Sequence, residues 1–221
     1  MKRARPTAIL FDWDNTLVDN WASVRAALNA ALVAFGMAPW SEAETRQRVR
    51  RSLRESFPEL FGAEWKRARE IFYRTFEAEH LNTLRAMPGA ADALAEFAAG
   101  ATLGVVSNKQ GRLLRLEAEA LGWTGHFRRL VGATDAPRDK PDPAPIALAL
   151  DSLPAPTPET VWFVGDTALD MQAAHASGCL PVLFGKNEED QSSLARFPPA
   201  FEVSDFAEMV EIWRGLQSAG K

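Results

Sequence analysis

Three apolar segments of this chain each end directly in polar side chains, and this feature constrains the fold most. The near-continuous apolar character of each segment predicts a strand covered on both faces, as in a parallel sheet with helices on either side. The carboxyl ends of parallel strands lie along one edge of the sheet, so these side chains are expected to share a single site. The segments are Ala8–Trp13 with Asp12 and Asp14, Thr102–Val106 with Ser107 and Asn108, and Val161–Val164 with Asp166 and Asp170.

Helical patterns alternate with strand patterns from about residue 90 onwards. This alternation predicts an α/β fold with a doubly wound, Rossmann-like parallel sheet. Further strands are expected near Leu130–Gly132, Pro181–Phe184 and Phe201–Val203. The polar, proline-bearing segment Gly185–Pro199 is expected to be a surface excursion.

Residues 19–86 carry helical patterns and no strand signal. The local signals are helix caps at Asn20 and at Ser41 with Glu44, a break at Pro58, and a longer helix over Ala63–His80. A stretch of roughly seventy residues is too long for a plain connection inside a compact domain. We therefore predict a helical cap domain over residues 19–86, inserted into a core formed by residues 1–18 and 87–221. In the alternative, these helices simply cover the sheet.

The composition and charge exclude several classes of protein. The chain has 221 residues, of which 47% are hydrophobic and 24% charged, as in a globular protein with a sizeable core. A formal net charge of -4 gives no support to a nucleic-acid partner, and no apolar run is long enough to span a membrane. Cys179 is the only cysteine, so an internal disulfide is excluded. We expect a cytoplasmic protein, either a monomer or a homodimer.

Asp12 and Asp14 stand two residues apart, so in an extended chain their side chains point to the same side. Neighbouring carboxylates repel each other unless a cation lies between them or one is protonated. A divalent, oxygen-preferring ion such as Mg²⁺ meets this requirement. Taken one at a time, the polar residues also have plain structural interpretations: a polar turn at Asp12, a helix N-terminus at Asp166, a helix cap at Ser107 and a solvated charge at Lys140. These separate interpretations do not explain the combination.

Four motifs resemble those of the haloacid dehalogenase superfamily, and they occur in that superfamily's order. They are Asp12-Trp13-Asp14-Asn15-Thr16-Leu17, Val105-Val106-Ser107-Asn108, Lys140-Pro141-Asp142-Pro143 and Gly165-Asp166-Thr167-Ala168-Leu169-Asp170. Asn15 stands where glycine is more usual, which is a mild change because both residues tolerate a positive φ. The helical insertion is similar to the cap of the subfamily that includes phosphoglycolate phosphatases.

The resemblance implies a magnesium-dependent phosphatase that acts on a small phosphorylated metabolite. Asp12 would be the nucleophile that forms an aspartyl-phosphate. Asp14 would protonate the leaving oxygen and then accept a proton from the hydrolytic water. The Mg²⁺ ion would be held by Asp12, the backbone carbonyl of Asp14, and Asp166.

The resemblance also implies which residues contact or support the phosphate. The phosphate oxygens would be stabilised by Ser107, Lys140 and the backbone amides after Asp12, beginning with that of Trp13. Thr16 and Asn108 are expected to bind the phosphate or support its site, and Asp170 to orient Lys140 or a metal-bound water. The candidates for substrate specificity in the cap are Trp21, Arg25, Arg51 and Arg54.

Other activities of the superfamily fit the sequence less well. Its dehalogenases and phosphonate-cleaving members lack the second acid of the first motif, which this chain has as Asp14. Sugar phosphomutases keep both acids but usually carry a histidine shortly after the first motif, and residues 19–32 contain none. A phosphomutase and a non-catalytic module that binds a phospholigand remain the alternatives to a phosphatase.

Overall fold

The computed structural model describes residues 5–49, 53–151, 157–185 and 191–216. The chain forms two compact units, one made of Met1–Val18 with Ala86–Lys221 and the other of Asp19–Arg85. Among the described residues, no helix is both long and apolar enough to cross a membrane.

The first unit is built on a parallel sheet of six strands. In spatial order the strands are β5-β4-β1-β6-β7-β8, and each neighbouring pair is parallel. Strands β2 and β3 form a separate two-stranded sheet. The strand bounds are β1 Ala8–Phe11, β2 Val18–Asp19, β3 Arg85–Ala86, β4 Thr102–Gln110, β5 Phe127–Ala133, β6 Val161–Gly165, β7 Leu180–Phe184 and β8 Phe201–Val203.

Helices follow most of these strands and form most of the second unit. Their bounds are α1 Trp21–Ala34, α2 Glu42–Arg48, α3 Leu53–Phe61, α4 Trp65–Thr83, α5 Ala90–Ala98, α6 Gly111–Ala120, α7 Ala144–Leu150, α8 Ala168–Ser177, α9 Gln191–Arg196 and α10 Phe206–Gly215. The predicted doubly wound α/β fold with an inserted helical segment is therefore confirmed.

Both faces of the sheet are covered, which explains why its strands are apolar at every position. On one face, Leu10 and Phe163 belong to a buried cluster with residues of α7 and α8. On the opposite face, Phe11 stacks on Phe97 of α5, with 6.3 Å between the ring centroids. Trp213 of α10 packs edge-on against Phe97 on that same face. Because neighbouring residues of a strand point to opposite faces, β1 needs an apolar side chain at each step.

The order of the strands places β1 between β4 and β6. Phe11 pairs with Val105 of β4 on one side and with Val164 of β6 on the other. Beyond this level β1 ends, β6 ends one residue later, and β4 continues along β5 to Gln110, so the residues that follow the three positions lie side by side at the carboxyl edge. The chain runs outward in opposite directions from β1 and β6, so this edge contains the switch point at which doubly wound sheets bind their ligands.

The helical unit has its own core of aromatic rings. Phe72 packs against Phe57 and Phe76, with centroid distances of 5.7 and 5.8 Å, and all three rings are buried. His80 is also buried and stacks on Phe76 at 5.2 Å. The capping box of Ser41 and Glu44 opens α2 as predicted.

Two local expectations were wrong. Pro58 lies inside α3 instead of ending a helix. The buried rings of Phe57 and Phe61 flank it, so tertiary packing offsets the backbone hydrogen bond that proline removes. Asn20 occupies the N-cap position of α1, but its side chain makes no capping hydrogen bond. The predicted surface excursion includes the short helix α9.

One prediction concerns the close approach of Gly132 in β5 to the start of α6. A Cβ atom at Gly132 would lie 2.3 Å from the Cα atom of Gly111, and backbone cannot move aside as a flexible side chain can. We expect Gly132→Ala to lower the free energy of unfolding by about 2 kcal/mol, or roughly 4–8 °C in Tm, as measured by thermal denaturation. The control is Gly125→Ala, because a Cβ there meets nothing within 4 Å. Equal Tm values for the two variants would contradict the prediction.

Candidate active site

Lys140 lies at the centre of the carboxyl edge and joins two acidic residues. Its Nζ donates hydrogen bonds to Oδ1 of Asp12 and to Oδ1 of Asp170, both at 2.7 Å. The side chain of Lys140 is only 2% exposed, and Nζ lies 5.5 Å from the centroid of the Phe163 ring. The three charged groups come from the end of β1, the loop before α7, and the first turn of α8.

Asn108 fixes the loop that carries Lys140. The side-chain amide of Asn108 donates to the backbone carbonyl of Lys140 at 3.0 Å and accepts from its backbone N–H at 2.9 Å. This double hydrogen bond ties the end of β4 to the loop, so the position of Nζ follows from the sheet.

Asp170 is fixed by the start of α8. Thr167 and Asp170 form a capping box, in which the Thr167 hydroxyl donates to Oδ2 of Asp170 at 2.6 Å. Gly165 leaves room for this carboxylate, because a Cβ there would lie 2.4 Å from Cβ of Asp170. The same side chain therefore caps a helix with one oxygen and holds Lys140 with the other.

Asp12, Asp166 and Asp170 together could hold a metal ion. One carboxylate oxygen from each lies within 4.8 Å of the others, and all three residues are buried. The hydroxyl of Thr16 donates to Oδ1 of Asp166 at 3.5 Å. Three carboxylates facing one lysine leave an excess of negative charge, which suits an oxygen-preferring divalent cation.

The pKa values of the site reflect this crowding. Burial, together with the charges of Asp170 and Asp14, raises the pKa of Asp12 to about 6, although Lys140 opposes the shift. Burial and the neighbouring Asp170 and Asp12 also raise the pKa of Asp166 well above its usual value. Burial lowers the pKa of Lys140, but the two adjacent carboxylates outweigh it and keep the ammonium charged. A bound cation would favour the ionised form of all three acids.

The first motif forms a tight turn after β1. Asn15 has a φ of 60°, in the left-handed region that asparagine tolerates. The backbone N–H of Asn15 donates to the carbonyl of Val18 at 2.7 Å, and that of Leu17 donates to the carbonyl of Trp13 at 2.9 Å. The substitution of asparagine for the more usual glycine is therefore accommodated as the sequence predicts.

The carboxylate of Asp14 contacts a group that the sequence analysis did not include. Oδ1 of Asp14 accepts from Nζ of Lys109 at 2.8 Å, and the same Nζ donates to both oxygens of Glu117 at 2.9 and 2.7 Å. The signal for Glu117 was present in the sequence. It falls on the apolar stripe of α6 with Leu113 and Leu114, where an acid needs a buried partner.

The structure assigns different surroundings to several predicted phosphate ligands. The Trp13 side chain is fully buried and its indole N–H donates to Glu117, so only its backbone amide is available to a phosphate. Thr16 is also fully buried, and Asn108 holds Lys140. These contacts of Thr16 and Asn108 favour the supporting role among the two expected of them, and any contact with a phosphate stays a prediction. Ser107 is buried at the end of β4, where its hydroxyl accepts from the N–H of Lys109 at 3.2 Å.

The specificity candidates lie in the helical unit. Trp21 packs under the guanidinium of Arg46, 4.9 Å from its ring centroid, and Arg25 lies 4.0 Å from a carboxylate oxygen of Glu42. Arg54 belongs to α3, and Arg51 lies outside the described residues. Their role in substrate selection stays a prediction.

Comparison with known proteins gives the family. The model of the haloacid dehalogenase-like hydrolases matches residues 9–183. The chain belongs to this family. It is 31% identical to a phosphoglycolate phosphatase of Xylella fastidiosa over 95% of both chains, and 34% identical to an N-acetylmuramic acid 6-phosphate phosphatase of Pseudomonas aeruginosa over 80% of this chain and 81% of that one. The crystal structure of a predicted phosphoglycolate phosphatase from Haemophilus somnus matches with a TM-score of 0.81 at 26% identity, covering 93% of this chain and 97% of that one.

We expect the crowded carboxylates of the site to lower the stability of the protein when no cation is bound. The pKa of Asp166 is raised in the folded state, so its contribution to stability is greatest at low pH and is lost as the pH rises through that folded value. We expect Asp166→Asn to raise the Tm of EDTA-treated protein at pH 8. If the cluster holds a divalent cation, the variant should also lose the stabilisation by that cation, which for a single site is about 2.7 kcal/mol at a hundredfold excess over Kd. The exposed Glu70→Gln, in the middle of α4, is the control and should change neither quantity; a lower Tm for Asp166→Asn without metal would contradict the prediction.

Metal binding should depend on pH for the same reason. The pKa of Asp12 is about 6, so protons compete with a cation for its carboxylate below that pH. We expect the affinity for Mg²⁺, measured by calorimetry, to fall by about tenfold for each pH unit below 6 for each competing proton. An affinity that stays constant between pH 5 and pH 8 would rule out this competition.

Proposed function

We propose that this protein is a phosphatase that hydrolyses the phosphate monoester of a small metabolite through an aspartyl-phosphate intermediate. The observation that carries the proposal is the buried Lys140 that holds Asp12 next to two further carboxylates. A nucleophile of this kind needs a fixed orientation and a cationic surrounding that accepts a phosphate, and the contacts of Lys140 provide both.

The proposed reaction has two steps. In the first, a carboxylate oxygen of Asp12 attacks phosphorus, the bond from phosphorus to the leaving oxygen breaks, and Asp14 donates a proton to that oxygen. In the second, Asp14 accepts a proton from a water molecule that attacks the aspartyl-phosphate, which releases inorganic phosphate and restores Asp12. Two carboxylates in different surroundings support these two roles, because Asp12 is buried against Lys140 and the Asp14 side chain is 31% exposed.

We propose that Mg²⁺ is held by Asp12, Asp166 and the backbone carbonyl of Asp14. When bound, the ion would neutralise charge between the nucleophile and the phosphate. The excess of carboxylates over lysine in this cluster supports a cation there. Asp170 is proposed to orient Lys140 instead of binding metal, because Oδ1 accepts from Lys140 and Oδ2 accepts from Thr167.

The proposed substrates are small phosphorylated acids or sugar phosphates. The names of the two relatives, a phosphoglycolate phosphatase and an N-acetylmuramic acid 6-phosphate phosphatase, each describe a phosphate monoester of an organic acid. The helical unit Asp19–Arg85 is proposed to be the cap that selects among them. Arginines of that unit such as Arg25, which is 43% exposed, are suited to a carboxylate or phosphate on the leaving group.

Hydrolysis of p-nitrophenyl phosphate with and without EDTA tests the proposal. We expect turnover that requires Mg²⁺, and we expect Asp12→Asn to lower kcat by about 10³-fold or more because a neutral amide cannot act as the nucleophile. The exposed Asp92→Asn is the matched control and should retain wild-type kcat. An Asp12→Asn variant as active as wild type would remove Asp12 from the mechanism.

Substrate screening separates the remaining alternatives. 2-Phosphoglycolate and a set of sugar phosphates should release inorganic phosphate in a metal-dependent reaction. Isomerisation of a sugar phosphate with little phosphate release would favour a phosphomutase. Folded protein that binds a phosphorylated metabolite but turns over none would favour a non-catalytic module.

A further inference from the structure

A buried charge pair, Lys109 with Glu117, lies beside the first motif. Glu117 is fully buried in α6, and the side chain of Lys109 is 6% exposed. Nζ of Lys109 donates to both oxygens of Glu117, at 2.9 and 2.7 Å. A buried carboxylate is stable only when charge and hydrogen bonds compensate it, so each residue of this pair requires the other.

Trp13 makes the pair rigid. Its indole N–H donates to Oε2 of Glu117 at 2.6 Å, and its ring is fully buried. The ring packs edge-on against Trp123 and Phe127, with centroid distances of 5.9 and 6.3 Å. Glu117 is therefore an anchor with two donors, fixed by the aromatic packing around Trp13.

The anchored lysine reaches one more carboxylate, that of Asp14. Nζ of Lys109 donates to Oδ1 of Asp14 at 2.8 Å. The side chain of Asp14 is 31% exposed, in contrast to the buried side chains of Lys109 and Glu117. A rigid, buried ammonium thus restrains a carboxylate that reaches solvent, and this restraint reduces the entropy that orienting the carboxylate would otherwise cost.

We propose that Lys109, anchored by Glu117, is a positioning residue that holds the carboxylate of Asp14 for proton transfer. This inference rests on the proposed function, in which Asp14 exchanges a proton with the leaving oxygen and with water. The same strand end that carries Ser107 and Asn108 then carries a third functional residue, whose effect passes through Asp14. In the competing explanation, Lys109 only neutralises Glu117 and stabilises the fold.

The two explanations differ in how activity depends on the leaving group. Phenyl phosphate and p-nitrophenyl phosphate have similar shapes but different leaving groups. Phenol has a pKa of about 10, so the phenolate that leaves phenyl phosphate needs protonation more than the less basic p-nitrophenolate does. The value of kcat/KM reports the formation of the aspartyl-phosphate, in which the leaving oxygen takes its proton. A misplaced Asp14 should therefore lower kcat/KM more for phenyl phosphate, whereas a loss of folded protein lowers both values equally.

The variant to test is the double substitution Lys109→Met with Glu117→Gln. The double substitution removes both charges of the pair, so we expect it to fold. Lys109→Met alone would be destabilised, because the buried charge of Glu117 would lose the Lys109 ammonium. We expect kcat/KM for phenyl phosphate to fall by about 10–100-fold, a typical effect of losing a residue that orients a functional group. The fall for p-nitrophenyl phosphate should be smaller by about tenfold. Lys66→Met, at an exposed lysine of α4, is the matched control and should leave both values unchanged.

A double-mutant cycle with Asp14→Asn locates the effect. If Lys109 acts through Asp14, adding the Lys109→Met and Glu117→Gln pair to Asp14→Asn should cause no further change in the ratio of the two kcat/KM values. If the wild type is active and the double variant loses kcat/KM equally for both phosphates, or loses none, the inference is overturned and the proposed function is not. Wild-type protein that hydrolyses neither phosphate would overturn both.

Discussion

The buried ammonium of Lys140 is the interaction on which the candidate site depends. Lys140 lies 128 residues from Asp12 and 30 residues from Asp170 in the chain, and it joins them through two hydrogen bonds of 2.7 Å. Without that positive charge, three buried carboxylates would face one another in a medium of low dielectric constant. The loop hydrogen bonds of Asn108 and the capping box at Thr167 fix the two ends of this arrangement.

The buried carboxylates of the site lower the stability of the fold, and the same negative charge suits the site to a cation. Raised pKa values at Asp12 and Asp166 mean that the folded protein holds their ionised forms at a cost when no cation is bound. The same excess of negative charge would attract a divalent cation. The surrounding fold tolerates the cost because β1 and β6 are buried on both faces and well packed. By contrast, Cys179 is a buried residue of the core, and burial raises the pKa of its thiol to about 12, which disfavours the reactive thiolate.

Sequence patterns predicted the sheet and its polar edge because they depend on local chemistry. Apolar strands and the capping box of Ser41 with Glu44 need only a few neighbouring residues to act. Local rules failed where distant packing dominated. Pro58 is held inside α3 between buried phenylalanines, and Asn20 stands at a cap position without making the capping bond. The side chains of Trp13, Thr16 and Asn108 contact groups far away in the chain, which no local rule could have named.

The sequence by itself determined the parallel α/β architecture, the family, and the set of acids and lysine that meet at the sheet edge, because the spacing of these residues relative to strand ends is written along the chain. Only the tertiary structure decided which partner each of them has. The register of β4, β1 and β6 and the packing of α6 set the distances between side chains. Those distances direct Lys140 to Asp12 and Asp170, and Lys109 to Asp14 and Glu117, because hydrogen bonds between remote residues depend on positions that no local pattern specifies.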